Sequence, residues 1–349
     1  MARHRVAVIP GDGVGPEVVE AALRVLRGLE EAYPRVGFDF VFIEAGMARY
    51  ERTGVQISEE DIEVVKSCEA LLKGPTATPT GPGSYRSVAV TLRQALDLYA
   101  NVRPFKSREG VEAIHKGVDL IIVRENTEGL YAGVEYRVDG GAIGLRLITE
   151  GRSRRIARFA FELARRLGRR RVTVVHKANI LKETCGLFRQ ACLEVAKGYP
   201  DIECDEMLVD AAAYAIARRP QTLDVLVTTN LFGDILSDVA AGVTGGLGVA
   251  ASANIGDRYA MFEPVHGTAP KYAGRGVANP CGMVMAAKMM LEHLGEGEAA
   301  SMVEWAVDQV LRERRFRTPD LGGSSSTMEV AEAIVSGVRQ RAALAGEKF

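Results

Sequence analysis

The sequence predicts an α/β protein with a largely parallel sheet, and three observations carry that expectation. Strand-like apolar runs alternate with helix-like ones nearly throughout, the pattern that βαβ crossovers leave. The first of these runs is turned by closely spaced glycines straight into a helix. The chain has 349 residues, more than one hydrophobic core usually serves, so two domains are expected.

Val6-Ala-Val-Ile9 reads as a short buried strand. Gly11-Asp-Gly-Val-Gly15 turns it, and Pro16 opens a helix at a position where a missing N–H costs nothing. Val18, Val19, Ala22, Leu23 and Leu26 then line one face of that helix. The glycine spacing is G-x-G-x-G rather than G-x-G-x-x-G, and no acidic residue follows a second strand where a dinucleotide fingerprint needs one. A classical Rossmann domain is therefore not expected. Further strands read at 38–43, 70–72, 120–123, 172–175 and 225–228, and helices at 59–67, 153–167, 187–197 and 283–293. Residues 133–147 are turn-rich and β-prone, the pattern of a protruding hairpin. Without repeats or a flexible linker, the domains are expected to be interwoven.

Apolar residues make up 47% and charged residues 26%, as in soluble globular proteins. The net charge of −1 gives no support to polyanion binding. The one basic cluster, Arg165, Arg166, Arg169, Arg170 and Arg171, surrounds Gly168 at a helix end, where cations favour the helix dipole. No nucleic-acid partner is expected. Five scattered cysteines without C-x-x-C spacing suit reduced thiols in a cytoplasmic protein. No apolar run approaches a membrane span, and Met-Ala-Arg-His-Arg leads into a strand without a signal-peptide core.

The clearest chemical signal is Asn230-Leu-Phe-Gly-Asp-Ile-Leu-Ser-Asp238. Asp234 and Asp238 stand four apart on a helix that follows a strand, so their carboxylates share one face at the end of the sheet where α/β proteins place ligands. Two converging carboxylates repel unless a proton or cation lies between them, and Mg²⁺ is commonly held by one or two carboxylates plus ligand oxygens and water. Alone, such a pair also suits a solvated helix surface. Arg93, Arg103 and Arg124 lie in separate segments, and Arg124 directly follows an apolar strand. Each could pair with a protein carboxylate or be kept for an anionic ligand. Tyr131 lies seven residues beyond Arg124, Lys177 follows another strand, and Asp210 ends a third apolar run.

Taken together, Gly11–Pro16, Asp97-Leu-Tyr-Ala-Asn-Val-Arg-Pro104, Arg124-Glu-Asn-Thr-Glu-Gly129, His176-Lys-Ala-Asn179, Asn230–Asp238 and Glu263-Pro-Val-His-Gly-Thr-Ala-Pro270 resemble the β-decarboxylating dehydrogenases. That family includes the isocitrate, homoisocitrate and 3-isopropylmalate dehydrogenases, and the resemblance, closest to isocitrate dehydrogenase, runs in order along essentially the whole chain. It implies a two-domain α/β fold without a Rossmann domain. Residues 1–98 and 252–349 would form a large cofactor-binding domain. Residues 99–251 would form a small domain with the dimer interface and a clasp hairpin near 133–147. It also implies a homodimer, or a dimer of dimers, whose active sites are shared between chains.

The same resemblance assigns roles. Arg93, Arg103 and Arg124 would clamp the carboxylates of a tricarboxylate-type substrate, a task suited to bidentate guanidinium groups. Asp234, Asp238 and a partner subunit's Asp210 would hold Mg²⁺ or Mn²⁺, which polarises the new carbonyl as CO₂ departs. Lys177 would take part in deprotonating the substrate hydroxyl, and Tyr131 would return a proton to the product. Thr78, Glu263, His266, Gly267, Lys271, Tyr272 and Asn279 would contact the cofactor. Lys271 and Tyr272 resemble the pair that NADP-using members present to the 2′-phosphate, whereas Thr318-Pro-Asp-Leu-Gly-Gly323 lacks the tyrosine and arginine that accompany it. NADP is thus expected ahead of NAD, with dual use open. Ser87 matches the serine that isocitrate enzymes aim at the substrate; it would equally serve as a helix N-cap. Ala89 stands where those enzymes carry asparagine. Isocitrate is the first expected substrate, homoisocitrate the second and 3-isopropylmalate the third. A non-catalytic regulatory subunit is the alternative from another class, and the complete set of Tyr131, Lys177, Asp210, Asp234 and Asp238 speaks against it.

Overall fold

The computed structural model describes residues 2–81 and 84–346. Its strands are β1 (Ala2–Ile9), β2 (Val36–Phe42), β3 (Ala70–Lys73), β4 (Ala100–Lys106), β5 (Asp119–Glu125), β6 (Glu135–Val138), β7 (Gly141–Gly144), β8 (Arg171–His176), β9 (Glu203–Leu208), β10 (Val225–Thr228), β11 (Ala251–Ile255) and β12 (Ala260–Pro264). The helices are α1 (Gly15–Ala32), α2 (Met47–Thr53), α3 (Glu59–Lys66), α4 (Val88–Ala95), α5 (Glu150–Arg166), α6 (Thr184–Ala196), α7 (Val209–Arg218), α8 (Asn230–Thr244), α9 (Cys281–His293), α10 (Gly297–Glu313) and α11 (Thr327–Gly346).

Ten strands form one continuous sheet in the order β2-β1-β3-β12-β11-β4-β5-β10-β8-β9. The expectation of a largely parallel sheet holds only for its two wings. β2, β1, β3 and β12 are parallel to one another, as are β5, β10, β8 and β9. Between the wings, β12–β11, β11–β4 and β4–β5 all pair antiparallel. The first wing draws its strands from both ends of the chain and the second from the middle, and the sheet runs unbroken across the seam. This order differs from the Rossmann sheet, which is parallel and ordered 3-2-1-4-5-6.

Local chemistry sets the elements. α1 buries Val18, Val19, Ala22, Leu23, Leu26 and Leu29 and packs against α11 and α9. Ser58 and Asp61 form a reciprocal capping box at the start of α3, and the Thr149 hydroxyl caps α5. The glycines after β1 have a packing cause. A Cβ on Gly11 would stand 2.1 Å from the Pro75 carbonyl oxygen, and one on Gly13 would stand 2.0 Å from that of Thr268. Both also have positive φ, 79° and 62°, so the loop seats directly on two others. Pro104 fits inside β4 because β11 pairs only with residues 100–102. Its missing N–H therefore breaks no ladder bond on that side.

The basic cluster is largely spent on internal pairing. Arg165 pairs with Asp201, Arg169 with Asp119 and Asp224, and Arg171 reaches the Thr222 carbonyl. Residues 133–147 do contain the expected hairpin. Tyr136 pairs with Ile143, and Tyr136, Val138, Ile143 and Leu145 are all exposed. No helix among the described residues is long and apolar enough to cross a membrane.

Candidate active site

The site grows from α8 and the strand ends beside it. α8 buries Gly233, Leu236, Ser237, Ala240 and Ala241, which leaves Asp234 and Asp238 together on the opposite, exposed side. Arg124, near the end of β5, is buried against this helix. Its Nε donates to the Asn230 carbonyl at 2.7 Å and its Nη1 to Asp234 Oδ1 at 2.7 Å. Arg103, on the neighbouring strand β4, reaches the same Asp234 oxygen at 3.5 Å. Gly233 makes this approach possible, since a Cβ there would lie 2.5 Å from Cγ of Arg124.

Tyr131 completes the cluster. Its hydroxyl oxygen accepts from Arg93 Nη1 at 3.0 Å and from Arg124 Nη2 at 2.9 Å. With both contacts arriving as donors, the phenolic proton is left to point elsewhere. Arg93 sits in the last turn of α4 and is fixed on its other edge by Asn254 Oδ1 at 3.0 Å and Glu263 Oε1 at 2.9 Å. Two guanidinium groups thus meet over one tyrosine, and Arg103 joins them through the Asp234 that it shares with Arg124. Burial, followed by the proximity of Arg124, lowers the Arg103 guanidinium to about 10. Burial acts to raise Glu263, but Lys73 and Arg93 outweigh it and hold that carboxylate at about 2.

Asp238 accepts no hydrogen bond among the described residues. Burial raises its pKa and Asp234 adds to that, while Arg103 and Arg124 oppose. Two hard-oxygen donors at one helical face, one of them lacking a donor of its own, fit a divalent cation. No cluster of three acidic, histidine or cysteine side chains of metal-holding geometry occurs among the described residues. Asp210, expected as a third ligand, lies in the first turn of α7. Its carboxylate is bonded to Lys177 Nζ at 2.6 Å, and that ammonium is the main cause of its lowered pKa. No hydrogen bond or ion pair among the described residues joins this Lys177–Asp210 pair to the Tyr131 cluster.

Ser87 occupies the N-cap position of α4, yet its hydroxyl makes no capping bond and no other side-chain hydrogen bond among the described residues. The capping alternative is therefore not realised, and the hydroxyl is free for a ligand.

A cavity of about 340 Å³ is bordered by the loop 264–274. Its walls include Val14, His266, Tyr272, Asn279 and Asp320. His266 Nδ1 faces the Gly267 carbonyl at 3.0 Å, so that nitrogen carries the proton. Nε2 is buried with no partner, and burial lowers the ring's pKa. A neutral imidazole with an unmet acceptor suits a ligand hydroxyl or amine, and the apolar walls suit a ring. These features fit the adenosine of a nicotinamide cofactor. Lys271 and Tyr272 form an exposed turn at its rim, and Thr78 and Gly267 are exposed on their loops. Asp320 was not singled out from the sequence. It accepts from Asn279 at 3.0 Å and so helps orient an expected cofactor residue.

Glu263, expected at the cofactor, lies buried on β12 on the arginine side of the site, its carboxylate enclosed by Lys73, Arg93 and Asn254. Lys73, Asn101 and Asn254 were also missed, because polar residues inside short strands give no periodic signal of their own.

The sequence pattern of the isocitrate/isopropylmalate dehydrogenase family matches residues 5–334. Over 332 residues the chain is 47% identical to a 3-isopropylmalate dehydrogenase of Archaeoglobus fulgidus, covering 95% of this chain and 98% of that one. It is 48% identical to an isocitrate/homoisocitrate dehydrogenase of Thermus thermophilus, covering 96% and 99%. The crystal structure of isocitrate dehydrogenase from Methylococcus capsulatus superposes with a TM-score of 0.92 at 50% identity, covering 97% of this chain and all of that one. With an arginine–tyrosine–aspartate cluster in place and likeness along nearly its full length, the chain belongs to the isocitrate/isopropylmalate dehydrogenase family of decarboxylating dehydrogenases.

Proposed function

We propose that the protein oxidises and decarboxylates isocitrate to 2-oxoglutarate, with homoisocitrate as the next-best substrate and NADP⁺ favoured over NAD⁺. The observation that carries an acidic substrate is the convergence of Arg93, Arg103 and Arg124, buried guanidinium groups of which Arg103 and Arg124 share the single carboxylate of Asp234 and Arg93 shares Glu263 with Lys73. Such an excess of buried positive charge calls for anionic ligand groups. The unpartnered Ser87 hydroxyl supports a substrate whose far end is polar. An isopropyl group there would leave that hydroxyl unmet, at a cost of about 1–3 kcal/mol. The relatives include enzymes named for each of these acids.

Arg93, Arg103 and Arg124 bind and orient the carboxylates. Lys177 takes part in removing the hydroxyl proton as hydride leaves, and Tyr131, held by two guanidinium groups, gives its phenolic proton to the product carbon. Asp234 and Asp238, with Asp210 of a second copy, would hold Mg²⁺ or Mn²⁺, which supplies Lewis-acid polarisation of the substrate oxygens. His266 and Asn279 would hold the adenosine of NADP⁺, which would supply the hydride acceptor. Lys271 and Tyr272 support the 2′-phosphate, whereas the Asp320 carboxylate that also lines the cavity keeps the preference modest. The exposed apolar face of the hairpin, Tyr136, Val138, Ile143 and Leu145, supports a dimer joined there.

The test is kcat/KM for isocitrate, homoisocitrate and 3-isopropylmalate, each with NADP⁺ and NAD⁺, in the presence of Mn²⁺. Isocitrate should lead, by roughly tenfold or more over 3-isopropylmalate. A lead for 3-isopropylmalate would overturn the Ser87 argument, and a lead for NAD⁺ would overturn the cofactor assignment.

A further inference from the structure

Lys73 lies outside every motif that marks the site, yet it is 1% exposed. A buried ammonium group needs both a counter-charge and hydrogen-bond acceptors. Lys73 Nζ donates to Glu263 Oε2 at 3.0 Å and to the Gly74 carbonyl at 3.0 Å. The other oxygen of Glu263 accepts from Arg93 Nη2 and from Asn254 Nδ2, each at 2.9 Å. Asn254 Oδ1 in turn accepts from Arg93 Nε at 3.0 Å. One edge of the Arg93 guanidinium is therefore locked by a carboxylate and an amide that also hold each other. Its remaining terminal nitrogen, Nη1, faces Tyr131.

Lys73 has a second connection. It ends β3, and the loop that follows carries Pro75, whose carbonyl accepts from Asp12 N at 2.7 Å. Asp12 returns a carboxylate oxygen to Ala77 N at 2.7 Å. The same loop leads to Thr78.

We propose that Lys73 is a positioning residue that fixes the Glu263–Arg93 pair, and through it Tyr131, while anchoring the start of the 74–78 loop. It touches neither substrate nor cofactor. Its ammonium keeps Glu263 ionised and aligned, so that Arg93 presents one fixed edge to a substrate carboxylate. The inference rests on the dehydrogenase reading above.

The charged groups facing Glu263 are Lys73 from β3 and Arg93 from α4, with Arg103 of β4 adding a weaker influence. Losing Lys73 leaves the carboxylate with a single adjacent cation. It should then protonate at a higher pH and release Arg93.

The experiment compares the parent with Lys73→Met, Lys73→Arg and the double variant Lys73→Met/Glu263→Gln, using isocitrate, NADP⁺ and Mn²⁺. Lys73→Met should raise the isocitrate KM at least about tenfold and move the acid limb of kcat/KM to higher pH, with a smaller change in the cofactor KM. Lys73→Arg should recover most of the substrate KM. The double variant removes the under-compensated carboxylate, so it should regain thermal stability while its substrate KM stays high; it keeps the test open if Lys73→Met folds poorly. A purely structural role would lower the active fraction and leave KM and the pH profile unchanged. Parent-like KM and acid limb in either variant lacking the ammonium would overturn the proposal. A parent inactive on every acid tried would instead count against the dehydrogenase reading.

Discussion

At Gly233 the identity of a single residue acts directly on the site. Alanine is the better helix former by about 1 kcal/mol, so on helix propensity alone Gly233→Ala should stabilise α8. The added methyl would instead lie 2.5 Å from Cγ and 2.7 Å from Cβ of Arg124. Arg124 is fully enclosed and holds Asn230, Asp234 and Tyr131 at once, so it has no second position of equal quality. Gly233→Ala should keep the helical content and lose substrate affinity, with KM rising about tenfold, roughly 1.4 kcal/mol. Circular dichroism with steady-state kinetics on the same preparation checks this. A parent-like KM would show that Arg124 yields without cost. The motif Asn230–Asp238 was recognised for its two aspartates, whereas the glycine just before the first of them does as much to build the site.

Among elements, β1 shows how one titratable side chain ties distant parts of the chain together. His4 Nδ1 lies 3.0 Å from Glu69 and Nε2 lies 3.0 Å from Glu296, so the strand is clamped to the turn before β3 and to the turn that opens α10. Both ring nitrogens can donate only when the imidazole is protonated. Burial pulls its pKa down, but hydrogen bonds to Glu296 and Glu69 outweigh burial and leave it raised. The His4 contribution is then fully present below the unfolded-state value and fades as pH rises through the folded one. Glu69, lowered chiefly by His4, contributes above its own unfolded value and fades as pH falls through its folded one. The clamp should therefore be strongest in the mildly acidic window between them. His4→Gln should lower the melting temperature by about 2 °C near pH 6, and the gap should close above pH 8. A gap that widened with rising pH would reverse the sign and refute the account.

The elements differ in how far the sequence disclosed them. Val225–Thr228 and the helix beginning at Glu59 lie where their patterns predict, because one is a pure apolar run and the other opens on a capping box. β4 was read only for its arginine. Its residues Asn101, Arg103 and Pro104 interrupt any apolar alternation, and they are there because the strand lines the site on one side and ends its β11 pairing early. β11 and β12 escaped for a related reason. Asn254 and Glu263 are buried polar residues that answer to one another across the antiparallel pair, a relation that becomes visible only in three dimensions. The antiparallel seam of the sheet went unseen with them.

For the whole molecule, the Tyr131–Asp234 cluster and the Lys177–Asp210 pair are assembled on different elements and share no hydrogen bond or ion pair among the described residues. If each working site takes Tyr131, Asp234 and Asp238 from one chain and Lys177 and Asp210 from a second, complementation follows from symmetry. Lys177→Met and Asp234→Asn homodimers should each be nearly inactive, since every site lacks one essential group. A hybrid of the two would carry one site with both defects and one site with neither. After co-refolding equal amounts, half of the dimers are hybrids, each with one of two sites intact, so roughly a quarter of the parent's specific activity should return. Separating the species by a charge tag should place that activity in the hybrid peak alone. Sites contained within single chains would give no recovery at any mixing ratio, because every chain in the mixture carries a lesion.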